Sequence, residues 1–155
     1  MNILYLITAR GGSKGIPKKN TKHLNNIPLV AYSIKVAQEL SLNEDICVST
    51  DDPEIISISE NEGLSVPFVR PAEISTDTAS SDSVIMHALN YYENLGKIYD
   101  TIILLQPTSP FRKVEHVKEA LDLFTGKEDM IISVSESKSN PYFTLMEEDE
   151  NAYLH

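Results

Sequence analysis

The residues with the strongest chemical character lie together, in Thr8-Ala9-Arg10-Gly11-Gly12-Ser13-Lys14-Gly15-Ile16-Pro17-Lys18-Lys19-Asn20. Three glycines let backbone N–H groups approach an anion with no Cβ in the way, and Arg10, Lys14 and Lys19 can neutralise its charge. That chemistry suits a phosphate. The spacing matches neither GxxxxGK[ST] of nucleoside triphosphatases nor GxGxxG of dinucleotide folds, so both of those functions lose ground. A flexible basic surface loop is the competing reading. Two further loop-like stretches carry unusual chemistry: residues 70–81 and residues 106–112. Asp51-Asp52 precedes Pro53 and reads as a helix cap in preference to a metal site. His23, His87 and His116 have no metal-ligand spacing. Cys47, the single cysteine, sits in the apolar run Ile46-Cys47-Val48 and reads as a small buried hydrophobe in a reducing compartment.

These loops need a frame, and the hydrophobic pattern supplies one. Asn2–Thr8 is a short β-branched run, the pattern of a buried parallel strand. Leu29–Leu40, with Pro28 near its first turn and Val30, Ile34 and Ala37 on one face, is a helix. Residues 46–49 form a second strand, and a helix capped by Asp51-Asp52-Pro53 ends near Gly63. Val66–Val69 is expected as a third short strand. The polar run 75–83 leads into a helix marked by Val84, Ile85, Ala88, Leu89 and Tyr92, with Ser80 or Ser81 as its cap. Thr101–Leu105 is a strand, Val114, Val117, Leu121 and Phe124 space a helix, and Met130–Val134 is expected as a last strand. Glu147-Glu148-Asp149-Glu150 reads as a solvated turn or frayed tail, with a metal cluster as the alternative. Alternating elements of this kind predict an α/β fold with a mostly parallel sheet and helices on both faces, whose ligands bind at the carboxyl ends of the strands.

With 155 residues and a net charge of -10, the chain fits one domain and argues against nucleic acid as a partner. The charge is very uneven. Residues 1–38 carry six cations and no acid, while the other 117 carry seven cations and 23 acids. A positive patch confined to one short stretch of an acidic chain suits a small polyanion better than a nucleic-acid backbone. The longest apolar run, Ile3–Ile7, is far short of the about 20 residues a membrane span needs, and no basic residue precedes it as in a signal peptide. A cytoplasmic location is expected.

The stretch ARGGSKGIPKKN resembles the signature of the acylneuraminate cytidylyltransferases, which make CMP-activated nonulosonic acids such as CMP-sialic acid. VSTDD at 48–52, RPAEISTDTASSDS at 70–83 and LLQPTSPFR at 104–112 resemble the same family at similar spacing. The resemblance implies a Rossmann-like nucleotidyltransferase fold, with residues 1–135 as the CTP-binding core. It implies that Arg10, Ser13, Lys14, Lys19 and Asn20 hold the triphosphate, Arg10 and Lys19 acting as the catalytic residues. Arg70, Ala79 and Ser81 would lie against cytosine, and Gln106 would meet the ribose or the acceptor sugar, with Thr108 and Ser109 beside it. The implied reaction is transfer of CMP from CTP to the anomeric hydroxyl of a nonulosonic acid with release of pyrophosphate, assisted by Mg²⁺. Family members continue beyond this length into a segment swapped between subunits, a stretch that contacts the sugar, and two aspartates that bind the metal. Residues 136–155 would then begin the dimerisation and sugar-binding segment of a homodimer, and the metal ligands would lie outside this chain. A CTP-binding module that does no chemistry is the alternative.

Overall fold

A computed structural model describes residues 1–13 and 15–134; Lys14 and the segment 135–155, with its acidic run, lie outside the described residues. The chain divides into two compact units, Met1–His116 and a second that begins at Val117.

The first unit is built on strand β1, Ile3–Thr8, whose four central residues are buried. The antiparallel pair β2 (His23–Leu24) and β3 (Ile27–Pro28) follows. Then come helix α1 (Leu29–Leu40), strand β4 (Ile46–Ser49), helix α2 (Pro53–Asn61), helix α3 (Ser81–Asn94) and strand β5 (Thr101–Leu104). The sheet order is β4-β1-β5, parallel throughout, with Leu6 opposite Cys47 on one side and Leu104 on the other.

Side chains alternate across β1, so its two faces take different partners. Leu4 and Leu6 join Cys47 and, from α3, Ala88 and Tyr92 in one buried cluster. Tyr5 and Ile7 point to the opposite face, where α1 packs against β1 and against α2. Each fully buried leucine or isoleucine here contributes about 1.5–3 kcal/mol. Local chemistry delimits the helices. Asp52 accepts from the Glu54 N–H at 2.8 Å to cap α2, with Pro53 in its first turn. Ser80 accepts from the Ser83 N–H at 3.1 Å to cap α3. Gly63 and Gly96, at φ +78° each, take the chain out of these helices in a conformation that β-carbons disfavour.

Three details depart from the sequence pattern. The expected strand at 66–69 shrinks to a single bridge between Val69 and Thr50. Pro67 has no N–H to give to a ladder, so pairing begins only at Val69, after which the Arg70 N–H donates to Thr50 O at 2.7 Å. The β2–β3 hairpin is not marked by any periodic run. Asn25 and Asn26, at φ 49° and 64°, turn it in the left-handed conformation that asparagine tolerates. Residues 130–134 form no strand among the described residues, and Met130, Ile132 and Val134 stand 74%, 65% and 84% exposed. Apolar β-branched character favours a strand only where a neighbouring edge is there to pair with it.

Helix α4, Val114–Leu123, runs across the boundary of the units. In the second unit a turn follows it, closed by the Thr125 N–H donating to Glu128 Oε2 at 2.8 Å. Among the described residues no helix is long and apolar enough to cross a membrane.

Cys47 is fully buried beside Tyr92, and burial pushes its thiol up to about 12. Since the thiolate is the reactive form, Ellman's reagent at pH 8 is expected to leave Cys47 unmodified in the native protein and to titrate one thiol in denaturant. Fast labelling of the native chain would contradict this packing.

Candidate functional site

Strand β1 lies between β4 and β5, and the chain passes from one side of it to the other, so the loops diverge above its carboxyl end. A cleft of about 510 Å³ opens there. Its wall combines the loop after β1 (Arg10, Ser13, Gly15, Lys19, Asn20), the stretch from Arg70 to Ser81, and the loop after β5 (Gln106, Pro107, Thr108). The topology thus gathers residues nearly one hundred positions apart. Ile74, Ala79 and Val84 add an apolar patch to an otherwise polar wall.

The loop after β1 is held in several places. The Ala9 N–H continues the sheet pattern to Ser49 O at 3.0 Å. Asn20, buried at 7% exposure, donates to Arg10 O at 2.9 Å, and the Gly11 N–H donates to Asp51 Oδ1 at 2.9 Å. Lys18, at φ 53°, turns the chain into a single helical turn over Lys19–Thr21. That reversal separates the two neighbouring lysines. Lys19 faces the cleft, whereas Lys18 reaches Glu54 at 2.9 Å on the exposed surface.

Two arginines meet the cleft from different loops. Arg10 forms an ion pair with Asp77, each side chain about one third exposed. Arg70 is 5% exposed; its Nε donates to Ser49 Oγ at 3.0 Å and its Nη2 to the Ser49 carbonyl. Among the described residues no acceptor takes its Nη1. Burial lowers the pKa of this guanidinium, with Arg10 adding to the effect and the Asp51 carboxylate opposing it. On the third loop, Arg112 donates to Gln106 O at 3.1 Å and to Ser33 Oγ at 3.4 Å, fastening residues 106–112 to α1.

The structure therefore brings Arg10, Ser13, Lys19, Asn20, Arg70, Ala79, Ser81 and Gln106 to one cleft, together with Thr108. Lys14 lies outside the described residues. Ser109 is not part of the wall; its N–H closes a turn onto Gln106 O at 3.3 Å. The capping role expected of the Asp51-Asp52 pair belongs to Asp52, while Asp51 holds Gly11. Two contributors escape the sequence pattern. One is Asp77, though it is the only acid between Ser75 and Ser81 and faces a basic loop; the other is Asp51 as a loop anchor, which no local spacing signals. Among the described residues no three His, Cys, Asp or Glu side chains come together in a group able to hold a metal ion.

A model of the family described as cytidylyltransferase matches residues 4–154. The chain belongs to the cytidylyltransferase family. Relatives within this cytidylyltransferase group include the CMP-N,N'-diacetyllegionaminic acid synthase of Legionella pneumophila, 38% identical over 141 residues, which are 91% of this chain and 61% of the relative. The N-acylneuraminate cytidylyltransferase of Escherichia coli is 41% identical over 138 residues, 89% of this chain and 32% of that one. The pseudaminic acid cytidylyltransferase of Campylobacter jejuni is 37% identical over 124 residues, 80% of this chain and 53% of that one. This chain thus spans from 32% to 61% of the length of these three cytidylyltransferase relatives. Among solved structures, a CMP:2-keto-3-deoxy-manno-octonic acid synthetase complexed with CTP superimposes with a TM-score of 0.64 at 19% identity, over 82% of this chain and 48% of the other. That likeness shows the fold, the Rossmann-like nucleotidyltransferase architecture of the cytidylyltransferases.

Proposed function

We propose that this chain is the nucleotide-binding part of an enzyme that transfers CMP from CTP to the anomeric hydroxyl of a nonulosonic acid. In that reaction the anomeric oxygen attacks the α-phosphorus and its proton passes to water, a new O–P bond forms, the bond from the α-phosphorus to the bridging oxygen of the β-phosphate breaks, and pyrophosphate leaves. The observation that carries the reading is the convergence, at the carboxyl end of β1, of a cationic glycine loop with the stretch from Arg70 to Ser81 across one cleft. Arg10, Ser13 and Lys19, with Lys14, take the triphosphate and Asn20 holds the loop that carries them; charge neutralisation does most of the work of phosphoryl transfer. Arg70, Ala79 and Ser81 take cytosine against the apolar patch, and Gln106 takes the ribose or the acceptor. Mg²⁺ would supply further charge neutralisation at the phosphates, held by ligands outside this chain. The lone buried thiol suits the cytoplasm, the acidic surface disfavours nucleic acid, and a longer form is a homodimer.

Cytosine presents a carbonyl acceptor beside an amino donor, and a site that pairs with both penalises uracil by leaving a buried group unpaired. CTP is expected to bind at least about tenfold more tightly than UTP, ATP or GTP, equivalent to roughly 1.4 kcal/mol. Isothermal titration with the four nucleotides tests this, and equal affinities would remove the base-reading role of residues 70–81. The second reading is a CTP-binding module without transferase activity. Pyrophosphate release from CTP in the presence of N-acetylneuraminic, legionaminic or pseudaminic acid distinguishes the two.

A further inference from the structure

The peptide unit between Arg10 and Gly11 is gripped at both ends. Its carbonyl accepts from Asn20 Nδ2 at 2.9 Å, and its N–H donates to Asp51 Oδ1 at 2.9 Å. A peptide unit is planar, so two hydrogen bonds at its opposite edges fix the whole plane and with it the torsions on either side. Those torsions govern where the Arg10 side chain leaves the backbone and where Ser13 comes to lie, and both residues face the cleft. Among the described residues no hydrogen bond joins Asn20 to Asp51 directly; the peptide is what they share.

Asp51 is out of place on simple electrostatic grounds. A carboxylate beside a loop of cations repels the polyanion those cations attract. Two effects offset this: its charge supports the buried Arg70 guanidinium nearby, and its oxygen satisfies a part-buried N–H that would otherwise be free to turn.

We propose that Asp51 is a positioning residue of the phosphate loop, clamping the Arg10–Gly11 peptide together with Asn20 so that Arg10 and Ser13 address one anion. This rests on reading the cleft as a CTP site. The test uses the 155-residue chain, inorganic tripolyphosphate as probe, and four variants: Asp51→Ala, Asp51→Asn, Asn20→Ala and the Asp51→Ala/Asn20→Ala double. Calorimetry is expected to show tripolyphosphate affinity falling at least tenfold in each Ala single. Asp51→Asn should stay within threefold of the parent, because its amide oxygen still accepts from Gly11. The double variant should be no more than about threefold weaker than the worse single, since either loss already frees the same peptide. Additive losses, or an Asn variant as weak as the Ala one, would overturn the clamp in favour of separate or purely charge-based effects. A second measurement needs no ligand. Hydrogen exchange at the Gly11 amide should accelerate at least tenfold in Asp51→Ala and stay near the parent rate in Asp51→Asn. Unchanged exchange overturns the inference whatever the binding data show, whereas the expected exchange pattern with no tripolyphosphate binding by the parent keeps the clamp and removes the phosphate reading.

Discussion

On the proposed transferase reading, Arg10→Ala and Lys19→Ala are each expected to lower turnover by about 10² to 10³, the cost of losing a donor to charge that develops in the transition state. In the 155-residue chain the same changes should weaken CTP by about tenfold or more, because a hydrogen bond to a charged group contributes about 1.5–3 kcal/mol. Asp77→Asn should act in the opposite direction. Arg10 is paired with Asp77, so an incoming triphosphate competes with a carboxylate for that guanidinium. The pair is about one third exposed, which limits the competition to at most ~1 kcal/mol, and CTP should tighten by about threefold. Opposite signs from two partners of one ion pair separate a binding role from a structural one. A basic surface loop with no ligand would give no affinity change in either variant. Titrations at two salt concentrations check the assignment further, since the Arg10→Ala variant should show the shallower salt dependence.

Much of the frame is legible in the residues because each element is delimited by local chemistry. The Leu29–Leu40 helix follows from its apolar face, α2 from Asp52-Pro53, and the strands of the sheet from short runs such as Ile46-Cys47-Val48. What the pattern overstates are strands whose existence depends on a partner. Val66 and Phe68 have strand-like side chains, yet Pro67 between them removes the N–H that pairing needs, and only Val69 bridges to Thr50. What it misses is a hairpin two residues long on each side, too short for any period to register.

The candidate site divides along the same line. The glycines and cations of ARGGSKGIPKKN stand within one short stretch of sequence, so the anion-binding reading can be made from local composition. Contacts between loops have no such signature. Arg10 with Asp77, Gly11 with Asp51 and Arg70 with Ser49 are separated by 67, 40 and 21 positions, and only the parallel sheet brings them together. Arg70 illustrates the consequence. Its residue type suggests a fully available donor, but Nε and one N–H of Nη2 go to Ser49, which leaves Nη1 and the second Nη2 N–H for any other contact.

Gly11→Ala is expected to be more damaging than the same change at Gly12 or Gly15, where an added β-carbon meets nothing within 4 Å. A β-carbon at Gly11 would lie 2.6 Å from Asp52 Oδ2, 2.9 Å from Asp52 Cβ and 3.1 Å from Asp52 Cγ. The carboxylate oxygen could swing aside, but the Asp52 β-carbon cannot move without its backbone. That backbone is fixed on both sides: its N–H donates to Thr50 Oγ1 at 3.1 Å and its carbonyl accepts from the Ile56 N–H at 3.1 Å. Moving the carboxylate also breaks the α2 cap on Glu54, a loss of about 0.5–2 kcal/mol. The alternative is that residues 10–12 lift away, which pulls the Gly11 N–H off Asp51 and displaces Arg10. Either route costs about 1–3 kcal/mol, in the range of overpacked interiors, and for a chain of this length each kcal/mol lowers the melting temperature by roughly 2–4 °C. Tripolyphosphate affinity should fall at least tenfold by the second route and less by the first, so melting and calorimetry together show which one the protein takes. Gly12→Ala is the control for stability, because a β-carbon there meets no atom within 4 Å. A Gly11→Ala variant that melts with the parent and binds tripolyphosphate equally well would show that Asp52 does not confine the loop.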